Sequence, residues 1–440
     1  MKSKLYLGNT FLFLSMIGVA IALDSHDAQA NHVIPHEPSS RIKHLVVIIQ
    51  ENQSFDHYFG RYCIANTGTN PTCNDGPACC EAAPITDPGS GQPMILFTQK
   101  LQTSYDPNHS QKCMIKEMHG GLMDRYITEK SCGNPNNFSY IEPQVINPYW
   151  EWARQYSLAD RYFQPVAGAS AANNMYFARA RFVFKDNTVE PDSIGSLCSY
   201  NAIHRSHFND TTIGDLLRDA GVSWSFYAEG YADMLQAQKY FTCPRVPTDC
   251  ASRSPFYPCI YEPSDNPFAY YPNFQDKPEF MKDRKQFSTD LLSGKLPAVS
   301  FVKALGYKSE HPGLSIRTKD GVKFVVDLVT EILDSPEGKD TLILLTFDES
   351  GGFFDHISPP PNSEVDGQPY GPRVPMLAIG EFARKNFVSH VTMEHSSVVK
   401  FIEWNWLGQQ TGQLGNRDGV VNNLGSLLDP SKTGVLVPVH

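Results

Sequence analysis

Thr341 to Pro360 reads TLILLTFDESGGFFDHISPP, and this stretch decides how the chain folds. Leu342 to Phe347 are mostly apolar and read as a buried strand. Asp348 and Glu349 follow at once, then Ser350-Gly351-Gly352, then Asp355-His356. Strands of α/β sheets end where ligands bind, at the carboxyl edge. Two adjacent acids at such an end are costly to bury unless something positive lies between them. The glycine pair lets other backbone come close. A surface turn with solvated acids is the plainer reading of the stretch alone, and the remaining sequence points away from it.

Working outward, His44 to Gln50 (HLVVIIQ) is a second buried strand, followed directly by Glu51-Asn52-Gln53-Ser54-Phe55-Asp56-His57. Further strands are expected over 222–227, 296–302 and 374–379, and helices over 150–162, 212–220, 321–333 and 393–407. Val325, Leu328 and Ile332 share one helical face, as do Val398, Phe401 and Ile402. Strands alternating with helices imply an α/β protein with a mostly parallel sheet covered on both faces. Residues 61–140 and 241–285 are rich in Cys, Pro, Gly, Asn and Tyr and read as long loops. No internal repeat or linker divides the chain, so 31–440 is expected to be a single domain.

The chain has 440 residues, 41% hydrophobic and 19% charged, with net charge −10. No Lys/Arg-rich run appears, which argues against a nucleic-acid partner. Lys2 and Lys4 precede an apolar run from Phe11 to Leu23, and Ala28-Gln29-Ala30 offers a small-x-small cleavage pattern. Residues 1–30 therefore read as a secretory signal, and the protein as secreted or periplasmic. All ten cysteines follow that segment, with no C-x-x-C pair and none after Cys259. An even count in an exported chain favours disulfides, in the loop-rich middle, with the pairing left open.

Far-apart acids converge when they end neighbouring parallel strands. Glu51, Asp348 and Glu349 gathered at one edge would raise one another's pKa unless a cation compensates. A divalent metal held by oxygen ligands, with histidine nitrogen nearby, resolves this. Such a metal makes a hydroxyl nucleophilic at neutral pH. Gly168-Ala169-Ser170 supplies a hydroxyl in a run of small residues that lets a bulky anion approach. His109, His311 and His356 are candidates to offset phosphoryl charge or to protonate a leaving oxygen. Mixed oxygen and nitrogen ligands suit zinc, with calcium or manganese as alternatives. His204, His207, Glu394 and His395 read as structural or solvated, and Trp404 and Trp406 as packing.

Three blocks carry a resemblance. Ile48-Ile49-Gln50-Glu51-Asn52-Gln53-Ser54-Phe55-Asp56-His57-Tyr58-Phe59-Gly60 resembles the first block of the bacterial phosphoesterase family, which holds secreted phospholipases C and a related acid phosphatase. Thr346 to His356 resembles its late block, and Glu394 to Trp406 its closing helix. The resemblance spans residue 43 to about 408 and implies an alkaline-phosphatase-like, doubly wound α/β core. Carried over, it implies metal ligands at Glu51, Asn52, Asp348 and Glu349, and a nucleophile that also touches the metal at Ser170. It further implies an asparagine at Asn173 and histidines at His109 and His311. Ala169 and Ala172 stand where the phospholipase branch often has proline, and the paired His-His of the acid phosphatase is absent. The expected activity is phospholipase C acting on phosphatidylcholine-like lipids, with peripheral contact at a membrane surface. The alternatives are an acid phosphatase, and a non-catalytic exported protein that binds metal or anion.

Overall fold

The computed structural model describes residues 37–69, 79–199 and 204–440. These lie within one compact unit, Ile34–His440. The expected signal segment and Cys73 fall outside the described residues.

The centre is a sheet of eight strands. In chain order they are β1 (His44–Gln50), β2 (Ser157–Ala159), β3 (Trp224–Ala228), β4 (Met281–Asp283), β5 (Val299–Lys303), β6 (Thr341–Phe347), β7 (Met376–Ile379) and β8 (Phe387–Ser389). Their spatial order is β8-β2-β7-β6-β1-β5-β3-β4. β1 is central, parallel to β6 on one side and β5 on the other, with Gln50 opposite Phe347 and Ile49 opposite Lys303. β1 and β6 are buried almost throughout, which is why they read as continuous apolar runs rather than alternating ones. Only β7 runs against its neighbours. The sheet is thus mixed, with its parallel centre made of the two strands that the opening motifs leave.

Helices cover it. Thr318–Leu333 buries Val325, Leu328 and Ile332, and His395–Trp406 is buried along its whole length, Trp404 and Trp406 included. The helix expected over 150–162 instead spans Pro143–Gln155, with Pro143 in its first turn. Residues 157–159 leave it because all three are buried and pair with β7 and β8, a two-sided burial that a surface helix cannot offer. The loop expected over 61–140 contains the helices Gln99–Ser104 and Gln111–Met118. The loop over 241–285 contains the edge strand β4. Disulfides join Cys63–Cys80, Cys113–Cys132, Cys198–Cys243 and Cys250–Cys259, all within the loop-rich part. Cys79 is disulfide-bonded as well, and no described cysteine is free. Among the described residues no helix is long and apolar enough to cross a membrane.

Candidate active site

The carboxyl edge of β1 and β6 brings the two acidic motifs together. After Gln50 the chain turns through Asn52, which takes a positive φ of 64°. That turn is clamped from both sides. Glu51 N–H donates to Ser309 O at 2.8 Å, and Gln53 N–H donates to Glu349 O at 3.0 Å. Gly351, at φ 65°, lies so close that a Cβ would meet Asn52 O at 2.3 Å. The glycine is therefore required by the approach of the two strand ends. Asn52 N–H donates to Asp348 Oδ1 at 3.3 Å, joining the motifs directly.

Ser170 enters from a third element. It is the first residue of the helix Ser170–Arg179, whose opening turn is built of buried alanines and asparagines. Its hydroxyl donates to Asn52 Oδ1 at 3.2 Å. Gly168 makes this turn fit, since a Cβ there would meet Lys185 O at 2.7 Å. Asn173 holds the turn from inside: its Nδ2 donates to Gly168 O and Ala169 O, and its Oδ1 accepts from Val166 N–H. Its polar atoms are spent on the scaffold. The neighbouring Asn174 reaches the acids, donating to Asp348 Oδ2 at 3.4 Å.

His109 and His311 approach from loops, their rings 5.8 Å apart. Each has Nδ1 against a backbone carbonyl, Pro107 O at 2.9 Å and Pro312 O at 2.6 Å. An Nδ1–H donated to a carbonyl leaves Nε2 as a free lone pair. His109 Nε2 lies 3.8 Å from Glu349 Oε1. Asp106, His109 and His311 offer ligand atoms close enough to share one ion. Glu310, between them and β1, is buried and accepts from Tyr58, Tyr149 and Gln50. That anchorage fixes the loop which presents His311.

Sequence reasoning missed Lys303, the last residue of β5. Its buried ammonium lies 3.0 Å from Glu51 Oε1 and 3.6 Å from Asp348 Oδ2. The signal was a lysine ending an apolar strand beside β1. Tyr257, in a loop, donates its hydroxyl to Glu51 Oε2 at 2.7 Å. Burial alone would raise Glu51, but Lys303, His311 and Tyr257 together hold it below the ordinary carboxylate value. Asp348 stays above its ordinary value, because burial and the charge of Glu51 exceed the help of Lys303. Glu349 is pushed up to about 8, by burial foremost and by Asp348. One lysine therefore leaves the acid group short of positive charge. Glu349 Oε1 is buried without a hydrogen-bond donor, and the amide Nδ2 of Asn52 without an acceptor. A buried carboxylate oxygen lacking a donor, beside two further acids, fits a site for a divalent cation.

His356, expected to face substrate, is engaged elsewhere. Its Nδ1 lies 2.7 Å from Asp56 Oδ2 and its Nε2 3.4 Å from Glu81 Oε1. Arg373 completes this cluster, 3.0 Å from Asp56 and 2.8 Å from Asp355. The cluster ties the motif after β1 to the motif after β6 by charge. Burial opposes charging of His356, yet Asp56 and Glu81 lift it from 6.5 to about 9. A raised pKa means that its stabilisation is complete below pH 6.5 and is lost as pH climbs through about 9. His356→Asn should cost about 3 kcal/mol of unfolding free energy at neutral pH. Urea unfolding across pH checks this: the gap from wild type should close above about pH 9. A gap that ignores pH would contradict it. His395, by contrast, is a buried spacer: its Nε2 faces Asp348 O at 2.7 Å, its ring stacks on Phe177, and burial depresses it to about 3.

Ser170, the buried acids and the two histidines gather on the sheet's carboxyl edge, and the chain's family and relatives make it a hydrolase acting on phosphoric ester bonds. The profile of the Phosphoesterase family matches residues 42–407, and the chain belongs to that family. Phospholipase C B of Mycobacterium tuberculosis is 25% identical over 413 residues, covering 82% of this chain and 72% of its own. The non-hemolytic phospholipase C of Burkholderia pseudomallei is 24% identical over 407 residues, covering 82% of this chain and 55% of its own. Among solved structures, a protein in the alkaline phosphatase superfamily from Vibrio parahaemolyticus superposes with TM-score 0.37 at 11% identity, over 84% of this chain and 67% of that one.

Proposed function

We propose that the protein is an exported, metal-dependent phospholipase C that cleaves glycerophospholipids of the phosphatidylcholine kind through Ser170. The observation that carries this reading is the chain of contacts from Ser170 Oγ to Asn52 Oδ1, and from Asn52 N–H to Asp348 Oδ1. The hydroxyl is thereby linked through Asn52, at the end of β1, to Asp348, at the end of β6. Glu51, Asn52, Asp348 and Glu349 would hold the ion together with Ser170 Oγ; with a nearby histidine nitrogen added this set suits zinc, and as oxygens alone calcium or manganese. A bound divalent ion would lower the pKa of the serine hydroxyl and take up charge on phosphate.

The residues of the chain do the rest. The Ser170–Arg179 helix begins at the nucleophile, so the positive end of its dipole would favour the charge of the phosphate. Ser170 Oγ bonds to phosphorus as the bond to the diacylglycerol oxygen breaks. The free Nε2 of His109 or His311 takes the proton that the Ser170 hydroxyl gives up and passes it to that leaving oxygen. Water then cleaves the phosphoseryl ester and releases the phosphorylated headgroup. Relatives named phospholipase C support the diester over the monoester. The disulfides support export, with residues 1–30 as leader, 31–440 as the working domain and peripheral contact at a lipid surface.

Hydrolysis of p-nitrophenyl-phosphorylcholine and of p-nitrophenyl phosphate, each with and without chelator, tests the reading. Cleavage of the diester should fall by at least about 100-fold on chelation and return with zinc. Cleavage of the monoester alone would make the protein a phosphatase. Cleavage of neither, with metal retained, would make it a binding protein.

A further inference from the structure

The structure assigns an acyl-chain site to the apolar groove between the helix Gln111–Met118 and the proline-rich segment 358–370; this inference rests on the phospholipase reading. The groove encloses about 730 Å³ and is lined by Ile115, Met118, Pro359, Pro361, Pro369 and Tyr370 among others. That volume falls within the range of small-molecule sites. Its walls carry no charged side chain.

Hydrogen bonds tie the wall of the groove to the candidate active site. Pro369 O accepts from Ala167 N–H at 2.8 Å, and Gly371 N–H donates to Gln164 O at 3.1 Å, so the groove's wall is bonded to the loop that delivers Ser170. Gln164 Oε1 in turn accepts from Ser350 N–H at 2.8 Å, next to Glu349. The opposite wall begins two residues after His109 and touches the same glutamine through Met114. Tyr370 is fixed by Arg417, whose guanidinium lies 4.5 Å from its ring. At the mouth, Ile115 is 45% exposed and Leu122, just past the lining pair Gly120-Gly121, is 63% exposed. A phosphodiester whose leaving group is diacylglycerol needs an apolar receptacle sharing a wall with the nucleophile. This groove supplies one, and its exposed rim suits a chain drawn from a lipid surface.

The test measures binding of the Ser170→Ala protein to phosphatidylcholines of rising acyl length, from dibutanoyl to dioctanoyl, below the concentration at which they form micelles. Affinity should rise roughly three- to four-fold per inserted methylene. The rise should vanish in Ile115→Asp and weaken in Ile115→Trp, which narrows the mouth of the groove; Ile115 is exposed enough that both variants should keep the wild-type melting curve. A flat length series, or one unchanged by both substitutions, would overturn the assignment. Failure of wild-type protein to cleave p-nitrophenyl-phosphorylcholine would instead defeat the phospholipase reading, and the length series would still judge the groove.

Discussion

Ser170→Ala should lower kcat for diester cleavage on the order of 10⁴-fold or more while leaving the protein folded. The two halves of this expectation come from different features. Turnover falls because Ser170 Oγ is the hydroxyl bonded to Asn52 within the acid group, at the start of a helix whose next two residues are alanines. No neighbouring side chain can replace that oxygen. The fold survives because the hydroxyl's one hydrogen bond among the described residues is at 3.2 Å, worth about 1 kcal/mol, and alanine is at home in a helix. Steady-state kinetics with the soluble diester, beside a thermal melt, separate the two. Acid-quenched wild-type protein should also carry phosphate on serine during turnover, and the variant none. Activity near wild type in the folded variant would remove Ser170 from the mechanism.

How much of this was legible depends on the kind of signal. The strands β1 and β6 announced themselves because burial on both faces leaves nothing but apolar residues, and the acids that end them broke that pattern abruptly. Strand β2 hid because its three residues are too few for any period and follow a helix without a turn. The antiparallel sense of β7 hid because a buried strand reads the same in either direction. Within the site, the acids and Ser170 were visible as types of residue in telling places. Asn173 and His356 were visible for the same reason, yet their side chains serve the scaffold, a choice made by partners such as Val166 and Asp56 that lie far off or carry no mark of their own. Lys303 was the opposite case. An isolated lysine at a strand end is ordinary until the register sets it against Ile49, one pleat from Glu51.

Lys303→Met carries the largest expected effect on stability, about 3–5 kcal/mol in the presence of chelator, because it removes the one lysine or arginine paired with Glu51 and Asp348 among the described residues. Glu51 and Asp348 both lie within 4 Å of Nζ, and Asp265, pushed up by burial and by Glu51, also leans on Lys303. Burial by itself would lower the lysine, but Asp265, Glu51 and Asp348 hold it above the ordinary value, so it is charged wherever the protein is folded. Methionine keeps the stem and its packing and removes only the ammonium. The acids must then take up protons or another cation. If oxygens of Glu51, Asp348 and Glu349 are built for a divalent ion, the loss should be partly reversed by zinc, and the variant's melting temperature should depend on metal more steeply than that of wild type. Thermal unfolding of both proteins in chelator and over a zinc series measures this directly. A variant as stable as wild type in chelator would mean that these acids are neutral in the folded state. The case for a cation among them, on which the whole catalytic reading turns, would then be lost.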